Sequence, residues 1–173
     1  GETEITSATI VGLAEDHTLY AQWIPYTYTV KYDNNVDPNN ENITQPTGST
    51  ADSIHTYGVE KKLTENGFDR TGYTFIGWNT QPDGKGTSYG NGESVKNLTA
   101  IDGDTVTLYA QWGVKSYVLR YHANGGEGTM ADQVIEWDKL TKIRENTFTK
   151  TDGDYKFAGW STTPDGEVEY LEN

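Results

Sequence analysis

The sequence predicts a mainly β fold with little helix, of the α+β class, arranged as small tandem repeat units. Two repeated motifs carry this prediction. The stretch GYTFIGWNTQPDGKG at residues 72–86 returns as DYKFAGWSTTPDGEV at residues 154–168, and TLYAQW occurs at residues 18–23 and again at residues 107–112. Internal similarity at such a spacing is typical of tandem structural units.

The N-terminal stretch is predicted to end in a strand. In TLYAQW, Leu19, Ala21 and Trp23 alternate with polar or half-polar residues, which is the period of two expected of a half-buried strand. Pro25 follows shortly, and proline cannot continue a central sheet ladder. Residues 1–25 are therefore interpreted as the C-terminal strand segment of a preceding repeat.

Residues 26–112 are predicted to form a complete repeat. A first strand, YTVKY, is expected at residues 28–32, and a solvated loop rich in Asn, Pro, Gly and Thr follows at residues 33–53. A second short strand is expected at residues 54–59. One helical turn is expected at residues 61–66, ended by a glycine where a left-handed residue commonly terminates a helix.

The second half of this repeat carries its strongest patterns. A strand is expected at residues 73–79, with Tyr73, Phe75 and Gly77 on one face and Ile76 and Trp78 on the other. A Pro-Asp-Gly turn follows it, and the glycine-dense residues 84–92 are expected to be irregular. A closing strand is expected at residues 105–112, on which Val106, Leu108, Ala110 and Trp112 point together.

Residues 113–116 are interpreted as a linker, and residues 117–173 as a second repeat that lacks its final strand. The missing strand would resemble residues 1–23. A free aromatic strand and a sheet without one strand are complementary, which makes head-to-tail strand pairing between chains an expected partner mode. Neighbouring repeats of the same protein are the other expected partners.

Composition excludes several classes of function. A net charge of −13 argues against binding to nucleic acid and to anionic membrane surfaces. No apolar run approaches the roughly 20 residues of a membrane helix, so membrane insertion is not expected. The chain has no Cys, which removes disulfides, thiol catalysis and Cys-based zinc sites.

Candidate chemical groups are few. His17, His55 and His122 occupy unlike positions with no recurring Ser or Asp partner, so neither a catalytic triad nor enzyme activity is expected. The Asp-Gly-Asp stretches at residues 102–104 and 152–154 offer too few oxygens for calcium, which favours solvated turns over a weak calcium site. No metal and no cofactor are expected.

An isopeptide cross-link is a further alternative, since Lys62, Glu65 and Asn66 align with Lys142, Glu145 and Asn146. Such a bond needs Lys and Asn on adjacent strands with a buried acid between them. The residues are instead sequence neighbours, which favours an exposed turn.

The aromatic residues are interpreted mainly as core anchors rather than sugar-stacking platforms, because they repeat at fixed strand positions. The residues assigned to this structural motif are Tyr73, Phe75, Gly77, Trp78, Leu108, Tyr109, Trp112, Tyr155, Phe157, Gly159, Trp160, Leu19 and Trp23. Tyr89, in the glycine-rich loop, and Trp137, which aligns with Tyr57, are the candidates for exposed contact.

The pattern YTVKY, GYTFIGWNTQPDGKG and TLYAQW resembles the Listeria-Bacteroides repeat, which is also known from the B-repeat of internalin-type surface proteins. The resemblance implies a small β-grasp-like unit that is secreted and associated with the cell wall in Gram-positive and gut bacteria. The family has an Asn-Gly-Gly turn after its first strand. Residues 124–126 keep that turn, whereas Asp33, Asn34 and Asn35 depart from it.

Three functions follow as expectations. The first is a non-catalytic extracellular spacer or stalk, supported by tandem units, short linkers and the lack of catalytic motifs. The second is an adhesion module that binds host protein or glycan through its loops. The third is an accessory module of a surface enzyme.

Overall fold

The computed structural model describes residues 6, 8, 12, 15, 16, 18–37, 39, 40, 43–151 and 153–171. Eleven strands and no helix are found within these ranges, which confirms the mainly β prediction. The strands are β1 (Thr27–Asp33), β2 (Thr47–Gly48), β3 (Ser53–Thr56), β4 (Lys61–Lys62), β5 (Phe68–Asp69), β6 (Tyr73–Asn79), β7 (Ser88–Tyr89), β8 (Ser94–Val95), β9 (Thr105–Val114), β10 (Ser116–Leu119) and β11 (Gln133–Glu136).

A five-stranded mixed sheet in the order β3-β1-β9-β6-β7 forms the first repeat. Its first and last long strands, β1 and β9, lie side by side and parallel, with Thr29 opposite Thr105 and Asp33 opposite Tyr109. The other neighbours in the sheet are antiparallel. The last strand in sequence thus occupies the centre of the sheet. The finer prediction of a β-grasp-like unit stays a prediction, since the described residues contain no helix to pack on this sheet.

The core lies on one face of the sheet and centres on Trp78, which is 0% exposed. Its indole is 4.8 Å from the ring centroid of Tyr32, 4.8 Å from Phe75 and 6.3 Å from Phe68, in tilted or edge-on contacts. Aromatic pairs in this geometry stabilise by about 0.5–1.5 kcal/mol beyond the burial of their area. The remaining buried apolar residues are Tyr28, Val30, Leu63, Val95, Leu108 and Ala110.

A β-bulge in β6 overturns the predicted faces of that strand. Phe75 pairs with Trp112 and Gly77 with Gln111, so Ile76 is an extra residue without an opposite partner. The inserted residue reverses the alternation. Phe75 and Trp78 therefore both reach the core, whereas Ile76 is 67% exposed.

Three other local expectations need correction. Residues 61–66 form no helical turn, because β4 pairs with β8 there. The irregular stretch at residues 84–92 contains β7, and the loop at residues 33–53 contains β2, which pairs with β5. Short backbone ladders with distant partners override the local sequence preference at all three places.

The described residues 18–26 contain no strand, although a strand was expected at TLYAQW. Leu19, Tyr20, Trp23 and Ile24 are all at least 74% exposed. None of the described strands pairs with residues 18–25, and a strand needs both hydrogen-bond partners and an apolar face to pack on. Most residues of the predicted segment 1–25 that precede these, including His17, lie outside the described part of the chain.

The second repeat reproduces the aromatic centre of the first. Trp160 lies 4.9 Å from Tyr121, 6.1 Å from Phe148 and 4.9 Å from Phe157. Gly159 has φ +146°, as Gly77 has φ +147°, so the backbone conformation of the bulge recurs. Only β10 and β11 form a two-stranded sheet here, and no residue described between positions 116 and 171 is fully buried.

Candidate functional site

The junction between the two repeats is a single residue. The predicted linker at residues 113–116 is mostly strand, because β9 runs to Val114 and β10 begins at Ser116. Lys115 donates its N–H to the carbonyl of Gly72 at 2.9 Å and accepts the N–H of Trp137 at 2.8 Å. Lys115 therefore ends the ladder of one repeat and begins the ladder of the next.

The ring of Trp137 closes this junction against a glycine. A Cβ at Gly72 would lie 2.0 Å from Cδ1 and 2.1 Å from Nε1 of Trp137, so the indole occupies the space of the absent side chain. Tyr117 tilts against the same ring at 6.3 Å. Trp137, a predicted contact residue, is 37% exposed, and it contacts the neighbouring repeat of its own chain.

The same backbone pattern begins the first repeat. The N–H of Tyr57 donates to the carbonyl of Tyr26 at 2.8 Å, as that of Trp137 donates to Lys115. Tyr57 is 41% exposed. Each described repeat therefore has an aromatic residue beside the residue that precedes its first strand. In the second repeat this aromatic residue is Trp137, and it packs on Gly72 of the preceding repeat.

The side-chain amide of one asparagine, called the asparagine clasp below, holds the loop after the first strand by hydrogen bonds. Asn35 adopts φ +58° and donates through Nδ2 to the carbonyls of Pro82 at 2.8 Å and Ala110 at 2.9 Å. Asn124 adopts φ +46° and donates to Pro164 at 2.7 Å. Asn35 in the first repeat therefore has the same conformation and the same type of bond as Asn124 in the second, although the first repeat lacks the Asn-Gly-Gly sequence.

The clasp also holds β9. The indole N–H of Trp112 donates to the carbonyl of Asn34 at 2.8 Å, next to the bond between Asn35 and Ala110. Two side-chain bonds thus bind the C-terminal half of the central strand to the loop that follows β1. Only the tertiary arrangement brings these residues together, since they lie about 75 positions apart.

Asn79 organises the turn between β6 and β7 and was not singled out from the sequence. It is 0% exposed, and its Nδ2 donates to Gly84 O, Gly86 O and Ser88 Oγ at 2.9–3.2 Å. Its Oδ1 accepts the N–H groups of Gln81 and Gly86. An Asn at the end of a strand, just before Pro-Asp-Gly, was the available signal.

An open depression of about 350 Å³ lies beside Tyr89, the other predicted contact residue. Its lining consists of Ile76, Gly77, Trp78, Gly84, Ser88, Tyr89, Gly90 and Gln111. Tyr89 is half-buried and packs against the core. Burial raises the pKa of its phenol, and the nearby carboxylate of Glu93 and the phenol oxygen of Tyr28 raise this pKa further by charge repulsion.

His55 is fully buried in the first repeat. Its Nε2 is 2.9 Å from Ser53 Oγ, which lies 3.2 Å from the hydroxyl of Tyr32, and its ring stacks on Tyr28 at 5.4 Å. Burial lowers the pKa of His55, and the positive charge of Lys61 lowers it further. This His–Ser–Tyr group is enclosed, and it forms part of the packing.

The acidic stretches take part in turns. Asp102 accepts the N–H of Thr27 at 2.9 Å, and Asp104 accepts Thr99 Oγ1 and the N–H of Thr105 at 2.7 Å each. Within the described part of the chain, no group of three His, Cys, Asp or Glu residues could hold a metal ion. Asp152, in the other stretch, lies outside the described residues.

The proposed cross-link residues are engaged in their own loops. Asn66 donates to Phe68 O at 2.9 Å and accepts the N–H of Phe68 at 3.0 Å, and Asn146 forms the same pair with Phe148. These amides therefore hold a local turn in each repeat.

The predicted motif residues range from fully buried to exposed. Trp78 and Leu108 are fully buried, Gly77 is buried, and Phe75 and Trp112 are partly buried against the core. In the second repeat, Phe157 is 38% and Tyr155 65% exposed. The exposed ones also include Leu19 and Trp23, and the half-buried ones are Tyr73, Tyr109, Gly159 and Trp160.

The two repeats that carry this aromatic centre match one known repeat family in sequence. The Listeria-Bacteroides repeat domain matches residues 28–111 and 117–173, and the chain belongs to this family. This confirms the resemblance based on the motifs. The family is not a known enzyme family.

Two relatives come from Evansella cellulosilytica. One, named "Putative Gly-rich membrane protein", is 33% identical over 85% of this chain, and another, named "Putative membrane protein", is 36% identical over 77% of it. The chain spans 15% and 17% of the lengths of these two relatives. No solved structure matches the chain. The described residues include no helix long and apolar enough to cross a membrane.

Proposed function

We propose that this chain is a non-catalytic, force-resisting spacer in an extracellular bacterial surface protein. The observation that carries this proposal is the parallel pairing of β1 and β9 at the centre of the first repeat. The chain enters the repeat at the start of β1 and leaves it at the end of β9. Tension along the protein therefore pulls these neighbouring strands past each other.

This geometry distributes the load. The strands are joined along five residue pairs, and sliding them in opposite directions strains all the bonds between them together. The bonds of Asn35 to Ala110 and of Trp112 to Asn34 resist the same displacement. The one-residue junction at Lys115 passes tension directly to the next repeat. Family membership and relatives named as membrane proteins support a location at the cell surface.

Single-molecule force spectroscopy on the whole chain tests the proposal. Pulling from the two termini should extend the repeat at residues 27–114 in one high-force event, with a gain of roughly 300 Å at about 3.4 Å per residue. The control attaches the handles to cysteines introduced at Thr27 and Thr105, which lie at the same end of the strand pair and are both exposed. That direction peels one residue pair at a time and should need much less force.

Equal unfolding forces in the two directions would refute the spacer proposal. The cysteine handles are unambiguous, because the natural chain has no Cys.

The depression beside Tyr89 favours adhesion as a second candidate. The depression is open to solvent and has a volume of about 350 Å³, and Ile76 exposes an apolar side chain at its edge. Binding to glycan and matrix-protein arrays that is lost in Ile76→Asp would support an adhesin. Binding that survives this substitution, or no binding at all, would remove the depression as a contact site.

A further inference from the structure

The chain contains three Asn-Gly pairs, at residues 66–67, 91–92 and 124–125. In such a pair the main-chain nitrogen of the glycine can attack the side-chain amide of the asparagine, because glycine has no side chain to hinder the approach. The attack closes a five-membered succinimide and releases ammonia. The three pairs share this sequence, but the structure holds them in different ways.

The pair at residues 66–67 is locked by three hydrogen bonds. The Nδ2 of Asn66 donates to the carbonyl of Phe68 at 2.9 Å, and its Oδ1 accepts the N–H of Phe68 at 3.0 Å. The attacking nitrogen, that of Gly67, donates its proton to Thr50 Oγ1 at 2.9 Å. These bonds must break before this nitrogen can reach the side-chain carbon, so the fold protects Asn66.

The pair at residues 124–125 is held at its leaving group. The Nδ2 of Asn124, which would depart as ammonia, donates to the carbonyl of Pro164 at 2.7 Å. The main-chain N–H of Asn124 donates to His122 Nδ1 at 3.0 Å and fixes the residue further. Reaction at this pair therefore requires the loss of a bond that holds the loop.

The pair at residues 91–92 has the opposite arrangement. Asn91 is exposed, and its Nδ2 and the N–H of Gly92 form no hydrogen bond with any described residue. The Oδ1 of Asn91 accepts the main-chain N–H of Asn66 at 2.7 Å. A donor at this oxygen stabilises the negative charge that develops there during attack. The leaving group and the attacking nitrogen are thus free, and the oxygen is polarised.

The carboxylate of Glu65 lies against the attacking residue. A Cβ on Gly92 would be 3.3 Å from Glu65 Cγ and 3.6 Å from Glu65 Oε1. Attack requires the nitrogen of Gly92 to lose its proton, and a carboxylate within reach, directly or through one water, is a general base for this transfer. Residues 65 and 66 therefore supply a base on one side and an oxygen donor on the other.

We propose that Asn91 and Gly92 form a self-deamidating site in the first repeat. The nitrogen of Gly92 bonds to Cγ of Asn91 while Glu65 takes its proton, and the N–H of Asn66 holds the oxygen. The bond from Cγ to Nδ2 then breaks, and ammonia leaves with the proton that Glu65 returns. Water opens the succinimide at either carbonyl and leaves an aspartate or an isoaspartate at this position.

The product alters the connection between β7 and β8. Either acid adds a negative charge close to Glu65, and isoaspartate also lengthens the main chain by one CH₂ group. The carbonyl of Glu93, two residues further on, accepts the N–H of Leu63 at 2.9 Å beside the β4–β8 pairing. Deamidation should therefore loosen this short ladder.

Peptide mapping by mass spectrometry after incubation of the whole chain in mildly alkaline buffer tests the proposal. In the folded chain Asn91 should deamidate faster than Asn66 by about tenfold or more, because three bonds hold the pair of Asn66. It should also react several-fold faster than Asn124. In the chain unfolded by urea, the three pairs should react at similar rates, with Asn91 no faster than in the folded chain.

Glu65→Gln tests the base. It should slow deamidation of Asn91 by about tenfold in the folded chain and leave its rate in urea unchanged. Glu145→Gln is the matched control, since Glu145 aligns with Glu65, is also exposed and lies in the second repeat. This control removes the same charge and should leave the rate at Asn91 unchanged.

Three results would overturn the proposal. The first is a rate at Asn91 no higher than that at Asn66 in the folded chain. The second is a rate at Asn91 that is lower in the folded chain than in urea, which would show that the fold protects this pair as well. The third is an equal rate in Glu65→Gln and Glu145→Gln.

Discussion

Two tryptophans of the chain, Trp78 and Trp160, occupy equivalent positions with different degrees of burial. Each contacts a Tyr and two Phe residues at nearly equal distances. The indole N–H of each has no hydrogen-bond partner, although an unpaired buried donor costs about 1–3 kcal/mol. In each repeat the contacts of the indole with three other aromatic rings offset that cost.

His55 provides a pH-dependent prediction at the residue scale. Its pKa is lowered below 6.5 in the folded protein, mainly by burial, so the unfolded chain binds more protons between the two values. The stability linked to His55 is therefore fully present above about pH 6.5 and is lost as pH falls towards its folded pKa. Urea unfolding of the wild type should show this loss as the pH falls below about 6.5.

The matched variant is His55→Phe, which keeps a ring against Tyr28 but cannot titrate. Its free energy of unfolding should change less than that of the wild type over the same pH interval. An identical pH dependence of the two proteins would assign the effect to groups other than His55.

At the scale of elements, the conformation of strands and turns depends on contacts with other elements. The alternation of residues within one strand does not reveal these contacts. The bulge at Ile76 reverses the faces of β6, and Gly77 permits it, since a Cβ there would lie 2.8 Å from the carbonyl oxygen of Tyr89. The face predicted for β9 is observed, with Leu108 and Ala110 buried, because this strand has no inserted residue where it pairs with β1. Regular alternation alone could not reveal an inserted residue.

The β6–β7 hairpin should depend on Asn79. Asn79→Ala removes five hydrogen bonds and leaves the N–H groups of Gln81 and Gly86 without partners, so unfolding by urea should show a loss of about 2–4 kcal/mol. Asn79→Ser should lose less, because Ser161 holds the corresponding turn of the second repeat.

Gln81→Ala is the control for this turn, since Gln81 is exposed and should change stability by less than about 0.5 kcal/mol. A loss in Asn79→Ala no larger than in the control would show that the amide contributes little to the hairpin.

At the scale of the whole molecule, the junction at Lys115 determines how the repeats are held. Backbone bonds to Gly72 and from Trp137 meet at this residue, and the indole covers Gly72. A spacer is stiff only if its joints are stiff. The packing of the Trp137 indole on Gly72, rather than the length of a linker, therefore holds the neighbouring repeats together.

Gly72→Ala should loosen this junction. The new Cβ would meet Trp137 ring atoms at 2.0–2.2 Å, so the indole must move away. Single-molecule energy transfer between dyes on Lys62→Cys and Lys142→Cys should show a broader distance distribution, and unfolding should lose about 1–3 kcal/mol.

Gly58→Ala separates this clash from backbone strain. Gly58 has φ +82° against +80° at Gly72, but a Cβ there meets nothing within 4 Å. It should lose about 1–2 kcal/mol through the left-handed backbone alone and keep the narrow distance distribution. Similar distributions in the two variants would show that the indole does not order the junction.

The sequence by itself determined the repeat architecture, the β class, the family and most long strands, because those depend on periodic motifs that recur along the chain. The tertiary structure alone decided the parallel pairing of β1 with β9, the bulge at Ile76 and the ring of Trp137 on Gly72. Each of these depends on which distant backbone or side chain is adjacent in space. Local pattern fixes which residues can form a strand, whereas hydrogen-bond partners and packing fix whether and where that strand forms.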